Sequence, residues 1–328
     1  MDILQILNNT AAQILAPTTI GFVLAAIGLA IHFGFAGLLN MGVAGFMAVG
    51  AYGFAISVLT FGLPWWVGVL IGLVGAVAFA LILGIPTLRL RGDYLAVVTI
   101  AAAEVVRLLF LTTAFREVTG SADGLSGFHT DFRASNPLPQ FNGSVGLGPW
   151  SYSRDQWWVI IIGILVVAVV LLFTWSLMRS PWGRVIKGIR EDEDAVRALG
   201  KNVFSFKMQA LVVGGVIIAL GGIVTALGTN VNPNVYMTSQ SFYIWTALLL
   251  GGAATIFGPV LGAVLFWVVR ALLSNLLPAL VNIGVLPFLS AEQSQMLVFV
   301  LIGLALMLLV IFRPQGILGN RKELTFVK

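Results

Sequence analysis

Covalent chemistry has little to work with in this sequence. There is no cysteine, and His32 and His129 are the only histidines, so thiol catalysis, disulfides and a Cys- or His-rich metal site are excluded. The charged residues with the most chemical meaning are three that fall inside long apolar runs: Glu104 and Arg107 in 94–113, and Arg270 in 259–280. An ionised side chain at the bilayer centre costs roughly 2.5–3.5 kcal/mol on insertion scales, so it must pair or face water. Glu104 and Arg107 stand at i,i+3, the spacing of an ion pair on one helix face. Glu104 and Arg270 each lie about ten residues, roughly 15 Å, from one end of their runs, which also allows a pair across helices. A structural ion pair and a place on a translocation path are the two readings of this group.

A second group sits in the polar stretch 179–207. Ser180 reads as an N-cap with Pro181 at N1, where a missing N–H costs nothing. Gly200 reads as the residue just past the helix end. Between them, Arg190 and Asp194, and Glu193 and Arg197, stand at i,i+4. Val185, Ile186, Ile189, Val196 and Leu199 supply a partial apolar stripe. The spacing predicts one amphipathic helix over 181–199, either resting on lipid headgroups or docking a soluble partner.

These groups need elements to hold them, and composition says which. Of 328 residues, 59% are hydrophobic and 9% charged. A soluble surface cannot be built from so few charges, so lipid is the solvent. About 20 apolar residues span the hydrocarbon core. Candidate spans are 14–32, 40–60, 64–86, 94–113, 157–178, 208–228, 241–257, 259–280 and 294–312. The fold class is therefore all-α, a polytopic membrane protein of about nine helices (eight to ten), one transmembrane domain over 1–328. The start MDILQILNNTAAQ has an acid and no Lys or Arg, so it lacks the basic n-region of a cleavable signal peptide, and the first apolar stretch is expected to stay as a membrane helix. Segment 241–280 is either two spans or one span with a re-entrant helix.

The net charge of +5 does not point to nucleic acid, because the basic residues cluster in a few loops. Arg89 and Arg91 lie in 85–93. Arg179, Arg184, Lys187, Arg190, Arg197, Lys201 and Lys207 lie in 179–207. Arg313, Arg321, Lys322 and Lys328 lie in the tail. The opposite side has Arg116, Arg133 and Arg154, all in 114–156. The excess predicts a cytoplasmic C-terminus and an outer loop 114–156, rich in Gly, Pro, Ser and Asn and either functional or flexible.

Glycine interrupts two apolar regions, 34–50 and 251–262. Paired interruptions in two halves point to a transport pathway, with Gly42, Gly45, Gly251, Gly252 and Gly258 as the broken-helix candidates. Helix packing is the plainer role for any one of them, as for the small-xxx-small pairs Gly68/Gly72 and Gly258/Gly262. Asn40, near a span end, reads as a cap.

The run Asp194-Ala195-Val196-Arg197-Ala198-Leu199-Gly200 resembles the EAA-xxx-G loop of ABC importer permeases, with Asp for Glu and Val for the second Ala. GFAGLLNMGVAGFMAVGAY (34–52), LRLRGDYLAVVTIAAAEVVRLL (88–109), TGSADGLSG (119–127), LLLGGAATIFGPVLGAVLF (248–266) and FRPQGILG (312–319) resemble, in the same order, segments of branched-chain amino acid ABC permeases of the M type. The GGAAT stretch lacks one glycine of that pattern. The resemblance implies an importer of two homologous permeases, here a heterodimer, with two ATPase subunits and an extracytoplasmic substrate-binding protein, in a bacterial inner membrane. It implies ATPase coupling through Arg190, Glu193, Asp194, Ala195, Arg197 and Gly200. It also implies that Mg-ATP binds the partner ATPases and that this chain carries no cofactor. The sequence agrees on one count: no G-x-x-x-x-G-K-[ST] occurs, so the chain has no P-loop. The rival readings are a urea or amide permease on the same scaffold, an ion-driven transporter, which would want more intramembrane carboxylates than Glu104, and a membrane enzyme, for which the catalytic residues are missing.

Overall fold

The computed structural model describes residues 3–88, 92–140, 143–284, 286, 289–313 and 315–319. Arg89, Arg91, Arg321, Lys322 and Lys328 of the basic segments lie outside them. The chain order is α1 (Ile3–Ala12), α2 (Pro17–Leu29) continued by a π-helical turn (Ala30–Phe35), α3 (Val43–Leu59), α4 (Trp65–Thr87), α5 (Gly92–Leu111), α6 (Arg116–Thr119), α7 (Thr130–Ala134), β1 (Ser144–Leu147), β2 (Trp150–Ser153), α8 (Arg154–Arg179), α9 (Pro181–Glu191), α10 (Glu193–Ala198), α11 (Val203–Gly228), α12 (Thr238–Gly251), α13 (Gly258–Asn282) and α14 (Ala291–Phe312). Each of the nine predicted spans falls on a helix.

Seven of those helices are long and apolar enough to cross a membrane, and α3 is a shorter apolar one. The two shortfalls are informative. At 1.5 Å per residue, the 17-residue α3 reaches about 25 Å and the 14-residue α12 about 21 Å, against about 30 Å of hydrocarbon. The predicted span 40–60 therefore starts late, at Val43, and 241–257 stops early, at Gly251, because 36–42 and 252–257 are not helical. Helix starts follow local chemistry. The Ser153 hydroxyl accepts from the Gln156 N–H while Gln156 bonds back to the Ser153 N–H, and Ser290 and Gln293 repeat this capping box at α14.

α2 and α11 form the buried centre. They run antiparallel, and Gly21 and Gly28 face Gly221 and Gly214; a Cβ on any of the four would strike the opposite main chain. In lipid no hydrophobic effect drives helices together, so such bare contacts supply the packing. Gly72 of α4 lies on α3 beside Gly50 and Gly53, and Gly262 of α13 lies on α12 beside Ala247 and Gly251. Both predicted small-xxx-small pairs are thus packing glycines.

Segment 114–156 is built rather than loose. Residues 114–156 hold α6, α7 and an antiparallel β1–β2 hairpin, a departure from purely helical structure. Leu125 pairs with Val231 across the 229–237 loop, and the buried His129 donates from Nε2 toward the Ala226 and Thr229 carbonyls, 3.0 and 2.9 Å. Trp150 and Tyr152 tie α1 down through the Ala11 and Ala12 carbonyls. Burial pushes the Tyr152 phenol's pKa up. Arg154 closes the loop on the carbonyls of Leu138 and Asn136.

Candidate functional site

The opposite end of the bundle gathers the predicted site residues. Ser180 caps α9, with Pro181 at N1. The single helix predicted over 181–199 is two, because Asp192 adopts an extended conformation and its carboxylate accepts from the Asp194 and Ala195 N–H groups, 3.0 Å each. A side chain that caps the next helix competes with continuing the first. The bend breaks the expected Arg190–Asp194 spacing. Glu193–Arg197 does form, at 2.9 Å, and Asp194 pairs with Arg197 at 2.6 Å. Glu193 also pairs with Lys207, fastening α10 to the start of α11. At the far end, the Gly200 N–H bonds the Arg197 carbonyl and the Lys201 N–H bonds that of Val196, with Gly200 at φ +75°. That is a Schellman end, which a Cβ disfavours.

The apolar stripe is split between two jobs. Ile186, Ile189 and Val196 are buried against the bundle. Leu199 is 78% exposed, beside exposed Ala195 and Ala198, and faces away from the bundle end.

Arg190 points inward. Its Nη1 donates to the Gly34 carbonyl at 2.5 Å, and its Nη2 pairs with Glu191 at 2.6 Å. Gly34 closes the π-helical turn that ends α2, and a Cβ there would overlap the Ala253 carbonyl. The two predicted interruptions therefore meet at this end of the bundle. The first, 36–42, runs beside α12. The Trp245 indole donates to the Asn40 carbonyl, 3.0 Å, and the Ser241 hydroxyl accepts from the Ala44 N–H, 3.0 Å. The Thr99 hydroxyl of α5 accepts from Met41 at 2.9 Å. Asn40 is fully buried; its Oδ1 accepts from the Gly42 N–H and its Nδ2 meets His32 Nδ1, 3.0 Å. His32 Nε2 lies 3.0 Å from the Leu211 carbonyl, which can only accept, so Nε2 carries the proton and Nδ1 receives the Asn40 amide. Sequence reading placed Asn40 as a cap and gave His32, Thr99, Ser241 and Trp245 no role; their signal was a polar residue in an apolar run.

Of the broken-helix glycines, Gly42 is the N-cap residue of α3 and Gly45 packs on Ala103 of α5. Gly251 ends α12, Gly252 (φ +116°) turns the chain, and Gly258 opens α13 against both. The tail crosses them: Ile317 and Leu318 donate to the Leu250 and Gly251 carbonyls.

The charges within spans pair on one helix only. Arg107 bonds Glu104 through Nε and Nη2, down to 2.5 Å. The alternative pair across helices is absent among the described residues: Arg270 instead lies over the Trp267 ring, 4.8 Å from its centroid, and 5.7 Å from that of Tyr243. No metal-holding cluster occurs among the described residues.

A helical bundle of this length and hydropathy, with two interrupted helices and a basic amphipathic loop at one end, is a multi-pass membrane protein. Residues 12–311 match the family described as the permease component of the branched-chain amino acid transport system, and the chain belongs to that family. It is 31% identical over 322 residues to the high-affinity branched-chain amino acid transport system permease protein LivM of Salmonella typhimurium, a match covering 93% of this chain and 69% of that one. LivM of Escherichia coli is 31% identical over 314 residues with the same coverage. The nucleoside ABC transporter permease protein NupC of Lactococcus lactis is 24% identical over 236 residues, 70% of this chain and 71% of its own.

Proposed function

We propose that the chain is the transmembrane permease subunit of an ATP-driven importer for branched-chain or related hydrophobic amino acids. It makes and breaks no covalent bond itself. Two ATPase subunits bind and hydrolyse Mg-ATP, a homologous second permease completes the path, and an extracytoplasmic binding protein delivers the substrate. The observation that carries this reading is the face of α10: Ala195, Ala198 and Leu199 stand exposed on a helix whose other side is anchored by Val196 and the Glu193–Lys207 pair. An apolar side chain left facing water between basic residues is what a docked soluble subunit would cover. Glu193, Asp194, Arg197 and Gly200 then shape and position that helix, while Arg190 on α9 points inward to Gly34.

The same end of the bundle holds 179–207 and the 315–319 segment, while 114–156 sits at the other. With the basic excess inside, the C-terminus is cytoplasmic. Cargo is the open choice, since the NupC relative is named for nucleosides and urea or amide permeases are rivals on the same scaffold. Co-purification with the products of neighbouring genes, followed by mass spectrometry, should return two ATPases and a second permease. Leucine uptake by that complex in proteoliposomes should be competed by isoleucine and valine and not by urea or adenosine. Absence of any ATPase would refute the ATP-driven reading; competition by urea or adenosine alone would refute the cargo. Because the chain has no native cysteine, Ser126→Cys should label with an impermeant maleimide in intact cells and Ser205→Cys should not.

A further inference from the structure

We propose that Arg190 is a positioning residue that transmits movement of α10 to the interrupted helices, a role that rests on the coupling reading above. Arg190 and Glu193 flank the bend at Asp192 and anchor it to two different elements. Glu193 holds Lys207 at the start of α11. Arg190, its side chain only 8% exposed, holds the Gly34 carbonyl. That carbonyl lies in the last turn of α2, where main-chain donors run out. Ala36, Gly37 and Leu38 already donate to the carbonyls of Ile31, Phe33 and His32. A helix C-terminus carries partial negative charge, so a guanidinium there is both donor and counter-charge.

The contact reaches both breaks. Gly34 abuts the Ala253 carbonyl of the second interruption, and the Arg190 stem lies against Gly37 in the first, 3.1 Å from where a Cβ would stand. A Gly37 side chain would push the arginine away. Beside it is a cavity of about 300 Å³ lined by Gly37, Leu88, Arg190, Glu193 and Lys207. The cavity gives the guanidinium room to move without opening the bundle. A push on the exposed face of α10 bends the chain at Asp192 and pulls on the end of α2 through one hydrogen-bonded cation. The exposed ends of α10 meet the partner; Arg190 does not, and its task is to carry the displacement inward.

The test uses the assembled transporter in proteoliposomes, with leucine as the probe and ATP hydrolysed per leucine imported as the readout. Arg190→Met should assemble with the ATPases and hydrolyse ATP. It should import about tenfold less leucine per ATP. Arg190→Lys, whose ammonium can still reach the Gly34 carbonyl, should recover most of the ratio. A purely structural arginine lowers hydrolysis and import together and leaves the ratio at the wild-type value; that result overturns the proposal. Equal loss of the ratio in both variants also overturns it, because the bond to Gly34 would then not matter. If the wild-type complex carries no ATPase, the coupling reading itself fails, and that is seen before any variant is made.

Discussion

The two interruptions are made by different means. The break at 36–42 is held by side chains from distant elements: His32 and Asn40 to each other and to α11, Thr99 from α5, Ser241 and Trp245 from α12, and Arg190 from α9. The break at 252–257 is held by glycine, one hydroxyl and main chain. Gly252 turns at φ +116°, the Thr255 hydroxyl donates to the Gly252 carbonyl and accepts from the Gly258 N–H, and the tail main chain satisfies the last carbonyls of α12. A break built from remote side chains senses any of the helices that supply them. A break built from backbone and glycine keeps its shape and transmits force as a rigid corner. We expect the first to be the adjustable element and the second the fixed corner against which it is set.

The largest effect should come from adding bulk at the fixed corner. A Cβ on Gly251 would fall on the main chain of Gly258 and Gly262, where neither side can give. Gly251→Val should cost more than the about 1–3 kcal/mol usual for overpacking and leave little folded protein in detergent. A variant that purifies and melts like wild type would mean that α12 and α13 can separate, and the rigid-corner view would be lost.

The next effect tests the remote break. His32→Phe keeps an aromatic ring, slightly larger, and removes both polar contacts, leaving Asn40 Nδ2 without an acceptor and the Leu211 carbonyl without a donor at a fully buried site. The cost should be about 1–3 kcal/mol, seen as a lower melting temperature. His32→Gln, whose amide can still donate to Leu211, should lose less. Equal melting of wild type and His32→Phe would show that this break is fixed by its backbone like the other, and the contrast would disappear.

Much of this architecture was legible from the sequence, because span length and the lipid solvent leave few options. Nine apolar runs gave nine helices, and the Ser180, Pro181 and Gly200 signals were read correctly, since caps act within one turn. What was lost depends on contacts far along the chain. The bend at Asp192 needed a choice between two local hydrogen-bond patterns that spacing does not decide. Arg190 looked like half of an i,i+4 pair, and instead it pairs with Glu191 and reaches a carbonyl 156 residues away. His32 and Trp245 gave no period or motif to follow, only an unexplained polar atom in an apolar run. The glycines at 251–258 were visible as interruptions, while the meeting of the two breaks needed the fold.

The smallest effect separates local from remote support most cleanly, because it touches one hydroxyl. Thr255 is the only side chain among the described contacts that closes the 252–257 turn, with 2.9 Å bonds to Gly252 and Gly258. The bond to the Gly258 N–H serves α13 as an N-terminal cap does, and losing such a cap costs typically about 1 kcal/mol. Thr255→Ala should therefore lower stability by about that much. Thr255→Ser keeps the hydroxyl and should restore it, since the methyl group makes no polar contact. The loss should stay local: Gly252 and the tail hydrogen bonds still hold the corner, so leucine imported per ATP should remain at the wild-type value. If instead Thr255→Ala reduces that ratio as strongly as Arg190→Met does, the second break is also an adjustable element, and the division between adjustable element and fixed corner has to be given up.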